Sequence, residues 1–168
     1  ASGLASSDFW VIFTARPIFA NGQDSQTVAT ALPCDTVPNN GRPSIGYINF
    51  NPQQFQELPN NEAKFQAVLR VGFHEMTHAL GFTSSLYDDY RDSRTNNLAV
   101  WPPGIVTVTR STPWGPRPVC ETPRVQAFAR QHYGCATLTG VGFETEGGPG
   151  TELSHWKQRQ TGEEYMGG

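Results

Sequence analysis

The spacing of hydrophobic and polar positions changes twice along this chain, and each change predicts a different element. Residues 8–17, "DFWVIFTARP", are short, aromatic and β-branched and close on a proline, which predicts a strand. Residues 44–50, "SIGYINF", alternate Ile45, Tyr47 and Asn49 against Gly46, Ile48 and Phe50 and stop at Asn51-Pro52. That period of two predicts a second strand. The clusters "NGQDSQ" and "PNNGRP" between them are turn-forming. The strongest signal comes next: Phe65, Val68, Leu69, Gly72, Met76, Ala79 and Leu80 recur at helical spacing and predict a helix from about residue 62 to 80. Ala63, Ala67, Val71, His74 and His78 fall on the opposite side, so this helix is expected to be covered on both faces. Gly81 is placed to stop it in a left-handed turn.

Beyond Phe82 the periodicity loosens. "LYDDYRDSRTNN" is polar, "WPPG" is a turn, and residues 104–110, "GIVTVTR", read as one more strand. In "ETPRVQAFARQHYGC", Thr122 is placed as N-cap, Pro123 as first helical residue and Gly134 as the stop, with Val125, Phe128 and Ala129 as buried face. "EGGPGTEL" is then a flexible glycine-rich approach to "SHW".

Composition narrows the functional classes. The 168 residues suit one domain with a sizeable core. A net charge of −3 with 16% charged residues offers no basic field for nucleic acid and no acidic tail for a basic partner. No apolar run approaches the ~18 residues of a transmembrane helix. The 17 glycines and 13 prolines predict long irregular connections. The chain opens on Ala1 and stops at Gly167-Gly168, and it reads as an excerpt of a longer or processed precursor. Its three cysteines, Cys34, Cys120 and Cys135, are an odd count, which in a secreted protein means a free thiol or a partner elsewhere.

The chemistry lies in "GFHEMTHALGF". On a helix, positions i and i+4 stack on one face, so the imidazoles of His74 and His78 can reach one ion. Glu75 beside them completes the H-E-x-x-H arrangement, two zinc ligands and a carboxylate that takes a proton from water. The bland alternative is a surface helix with chance histidines, against which the helix's two apolar faces speak. A catalytic zinc needs three protein ligands and an open position. The extended metzincin signature would put a third histidine at residue 84, where the chain has Ser84, a poor ligand. Two histidines remain. His132 near a helix C-terminus also suits the helix dipole alone. His155 is followed by Met166 at the distance of a Met-turn.

"HEMTHALGF", a long insertion, "YGC", a glycine-rich loop, "SHW" and the methionine at 166 together resemble the leishmanolysin family, including its animal relatives the invadolysins. That resemblance covers most of the chain. It implies that the third histidine comes far downstream, past the insertion, so that His74, His78 and His155 are zinc (Zn2+) ligands, Glu75 the general base and Met166 the Met-turn. It implies an α+β metzincin (zincin-like) catalytic domain, a twisted mixed sheet packed on the active-site helix above a largely irregular lower part. Residues 1–81 would form the upper part, 82–154 the family insertion with a short helix near 123–133, and 155–168 the third ligand and Met-turn. It further implies a zinc endopeptidase acting on proteins or peptides, secreted or at the cell surface, with any membrane anchor outside this chain. Residues 44–50 would border the cleft and pair with an extended substrate. Cys34 and Cys135 would pair with partners outside this stretch, and Cys120 has no assigned counterpart. The alternatives are a non-catalytic structural or adhesive module of the same fold, and a zinc hydrolase of another substrate class. Retention of all four polar site residues argues against decay to a module. "YDDY" and "EEY" read as solvated acidic loops rather than acidic subsites.

Overall fold

The computed structural model describes residues 7–20, 23–24, 26–55, 61–92, 94, 106–113, 115–148, 150–161 and 166. The chain divides into two compact units, Ala1–Gly81 and Phe82–Gly168. Both mix strands and helices, as an α+β fold of the metzincin kind requires. The turn "WPPG" and the acidic "EEY" lie outside the described residues.

The first unit is built on a three-stranded sheet. Strand β1 (Trp10–Ala15) falls within the aromatic run, and a small hairpin pairs β2 (Phe19–Ala20) with β3 (Gln23–Asp24). Strands β4 (Ala29–Thr36) and β5 (Pro43–Phe50) complete the sheet in the order β1-β5-β4. β1 runs parallel to β5 and β4 antiparallel to it. β4 carries no alternating signal and contains Pro33, so its sequence does not announce a strand. As an edge strand with register shifts after Pro33 it tolerates the missing donor. The expectation that residues 44–50 pair with a substrate is corrected here. β5 is the central strand, hydrogen-bonded on both sides, and has no edge to offer.

Helix α1 (Glu62–Ala79) packs on β4 and β5. Asn61 caps it, its side chain accepting the Lys64 N–H at 3.1 Å. Gly81 ends it at φ +115°, with its N–H donating to the His78 carbonyl at 2.9 Å. The helix is not covered on both faces as its pattern suggested. Ala79 is fully buried, while Phe65, Leu69, Phe73 and Leu80 are exposed. Gly46 allows the close approach: a methyl there would lie 2.8 Å from Ala79 Cβ. On the other face of β5, the buried Asn49 ties the exit of β1 to the sheet. Its Oδ1 accepts the Arg16 N–H at 2.9 Å and its Nδ2 donates to the Arg16 carbonyl at 3.0 Å.

The second unit holds a second three-stranded sheet, β6 (Val108–Thr112), β7 (Gly115–Cys120) and β8 (Val141–Gly142), all antiparallel. β6 begins later than the sequence pattern suggested, and β7, with Pro116 and Pro118, gave no strand signal at all. Those prolines precede Val119, the residue at which β7 is paired with both β6 and β8. Helix α2 (Pro123–Tyr133) starts and stops as its punctuation predicts, with Gly134 at φ +63°. Ala129 is buried and Val125 half-buried, but Phe128 is exposed, contrary to its assignment to the inner face. A four-residue helix, α3 (Gln158–Thr161), follows. The core gathers Tyr87, Val106, Cys120 and Phe143, with Phe82, Tyr90, Val125, Leu153 and Trp156 packed against them. Tyr87 reaches it from a 3-10 helix, Ser84–Asp89, whose Asp88 and Asp89 are solvated.

Candidate metal centre

The last two turns of α1 carry the first part of the site. His74 and His78 lie one turn apart, with their Nε2 atoms separated by 3.1 Å and their rings at 79°. Two nitrogens bound to one tetrahedral zinc at 2.0–2.1 Å would stand about 3.3 Å apart. The pair is therefore already spaced for one ion. His78 is buried and His74 half-buried. Glu75, 6% exposed, lies beside them, and burial pushes its carboxyl from the ordinary 4.5 up to about 7. The direction follows from desolvation, which disfavours the charged form.

In the second unit His155 is buried, at the end of the turn that follows the glycine-rich stretch. Its Nδ1 lies 3.0 Å from the Thr151 carbonyl oxygen. A carbonyl only accepts, so Nδ1 carries the proton and Nε2 is the lone-pair nitrogen, the form a metal ligand requires. Thr151 is a residue that sequence reasoning missed, because it contributes through its backbone and leaves no side-chain signature. Ser84, where the extended signature would place a histidine, has its N–H 3.4 Å from Ser154 Oγ, one residue before His155. Met166 is buried at 3% exposure, and its carbonyl accepts the Trp156 N–H at 2.8 Å.

The candidate ligands, His74 and His78 of the first unit and His155 of the second, each offer one imidazole nitrogen. Three neutral imidazoles suit zinc among the common biological cations, and calcium or magnesium would call for oxygen donors. His132 is not in this group. It is exposed on α2, stacked on Phe128 at 5.5 Å and edge-on to Tyr133. Cys34 and Cys135 are exposed and Cys120 is buried, all three as free thiols. Among the described residues no helix is long and apolar enough to cross a membrane.

The family model for leishmanolysin matches residues 1–168. The chain is 30% identical over 192 residues to a leishmanolysin-like peptidase of Caenorhabditis elegans, covering 99% of this chain and 28% of that protein. It is 32% identical over 167 residues to a leishmanolysin homolog of Crithidia fasciculata, at 99% and 22% coverage. To leishmanolysin of Leishmania major it is 30% identical over 171 residues, at 98% and 24% coverage. The chain thus spans about a quarter of the length of the curated relatives it matches. A match running from the first residue to the last, on a chain whose H-E-x-x-H helix already implied it, shows that the protein belongs to the leishmanolysin family.

Proposed function

We propose that the protein is a zinc-dependent endopeptidase that hydrolyses peptide bonds of proteins, with His74, His78 and His155 as ligands. The observation that carries the reading is the His74–His78 pair, spaced for one ion, with a buried carboxylate, Glu75, next to its first member. Zinc held by three protein ligands with a fourth position open supplies a Lewis acid that brings the pKa of water down to ~7. The chain's own residues do the rest. Glu75 takes the proton from the attacking water and returns it to the departing amine, the work of a general base and then acid. The Thr151 carbonyl keeps the proton of His155 on Nδ1. Met166, buried beside Trp156, is the apolar floor of the site in the manner of a Met-turn. The strands that could receive an extended substrate are the sheet edges β1 and β4 among the described residues. Membership of the family supports a location outside the cell or at its surface.

The test is zinc content together with cleavage of an unstructured protein, with and without a chelator. His155→Ala is expected to lose zinc and activity, and His132→Ala to keep both. Glu75→Gln is expected to keep zinc while turnover falls by ~10²–10⁴-fold. A zinc-replete His155→Ala protein would sink the ligand assignment. Wild-type turnover in Glu75→Gln would show that another group activates the water.

A further inference from the structure

We propose that the Tyr87 hydroxyl is a positioning group for the third histidine ligand, acting through the carbonyl of Leu153. The inference rests on the zinc-peptidase reading above and extends it to a residue outside the H-E-x-x-H motif. His155 is reached through a stretch with little stiffness of its own, in which Gly147, Gly148 and Gly150 all have positive φ. Leu153, two residues before the histidine, also sits in the left-handed region at φ +60°. A leucine there is strained, so the surrounding structure must hold it.

Two hydrogen bonds do so. The Leu153 N–H donates to the Glu144 carbonyl at 2.9 Å, and the Leu153 carbonyl accepts the Tyr87 hydroxyl at 2.7 Å. The turn held in this way folds the Thr151 carbonyl back over the following residues. There it accepts both the Ser154 N–H at 3.2 Å and the His155 Nδ1–H at 3.0 Å. The second of these fixes the tautomer and direction of the imidazole. Glu144 closes the far side, its N–H donating to the His155 carbonyl at 2.8 Å.

Tyr87 is suited to the task because its ring cannot move. It is 5% exposed, stacked on Phe143 at 5.1 Å and 26°, and set edge-on to Phe82 at 6.0 Å and Tyr90 at 5.3 Å. The phenol oxygen therefore occupies one place, and the entropy cost of the hydrogen bond is met when the core forms.

Tyr87→Phe keeps the ring and removes only the hydroxyl. The expected result is a zinc dissociation constant raised up to about 10-fold, the low end of the loss when a direct partner of a metal ligand is removed, because Tyr87 acts at one remove. The visible spectrum of the cobalt-substituted protein should change as well, while the metal-free thermal midpoint falls only by the loss of one buried hydrogen bond. Val106→Ala, in the same core cluster, is the structural control. It should lower the metal-free midpoint and leave zinc affinity and the cobalt spectrum unchanged. His155→Ala is measured alongside and should lose the metal. Wild-type affinity and spectrum in Tyr87→Phe, with metal lost in His155→Ala, would overturn the positioning role alone. So would a Val106→Ala protein that binds zinc as weakly as Tyr87→Phe. Undiminished zinc binding by His155→Ala would bring down the ligand assignment and this inference with it.

Discussion

Gly46 is the position at which the sheet decides how closely the histidine-bearing end of α1 can approach. It lies in the central strand, paired with Val11 on one side and Pro33 on the other. A methyl group added there would stand 2.7 Å from Phe9 Cζ and 2.8 Å from Ala79 Cβ. The Phe9 ring end can swing aside. Ala79 cannot, because its Cβ is fixed to the helix backbone one residue after His78. Overpacking of this kind costs about 1–3 kcal/mol. Replacing glycine by alanine inside a strand returns about 0.5–1 kcal/mol of backbone entropy. Gly46→Ala should therefore destabilise the metal-free protein by about 1–2 kcal/mol, read as a lower urea midpoint at unchanged slope. Ala79→Gly alone removes a buried methyl and a good helix former, about 1–2 kcal/mol in sum. In the double variant the clash with Ala79 is gone, so the two losses should fall short of adding by about 1 kcal/mol. Additivity within about 0.3–0.5 kcal/mol would refute the reasoning, since it would mean that the two side chains do not meet. A wild-type urea midpoint for Gly46→Ala would refute it more directly.

Two further outcomes can be checked. Glu121, whose side chain is 9% exposed, is held below the ordinary carboxyl value of 4.5 by its hydrogen bonds with Arg110, at 2.6 Å from Nε and 2.5 Å from Nη2. A lowered folded-state pKa contributes stability that is present above 4.5 and lost as pH falls through the folded value. Wild type should therefore be more stable than Glu121→Gln near neutrality, and chemical denaturation across the acid range should show the gap closing below 4.5; a constant gap contradicts the assignment. Met166→Leu conserves volume at a buried site and should cost less than ~1.5 kcal/mol with zinc retained, whereas Met166→Asp should lose zinc. Zinc content and thermal midpoint of the two variants decide it.

The features legible in the sequence are those encoded by neighbours along the chain. The i, i+4 spacing of His74 and His78, the proline that opens α2 and the glycines that end α1 and α2 depend on local backbone geometry, and the structure has them where the pattern puts them. β1 and β5 were readable for the same reason, as runs of strand formers bounded by prolines. The local signal failed where a partner decides. β4 contains Pro33 and β7 contains two prolines, and only strands already in place make those segments extended. Helical periodicity marked Phe65, Leu69 and Phe128 as inner residues, but periodicity measures direction around an axis and not whether anything lies there.

The sequence by itself determined that the His74 and His78 imidazoles share one helical face with Glu75 beside them, because a helix repeats every 3.6 residues whatever surrounds it. Only the tertiary structure decided the fate of residues distant along the chain. Tyr87, in a stretch that reads as a polar loop, is part of a core because Phe143 and Phe82 come to meet it. Between the two remaining histidines, nothing local separates an exposed one from a buried one. His132 stays on the surface of α2, whereas His155 is buried with its Nδ1 on the Thr151 carbonyl. Burial and a fixed tautomer come from contacts between segments far apart in sequence, which no local pattern of residues encodes.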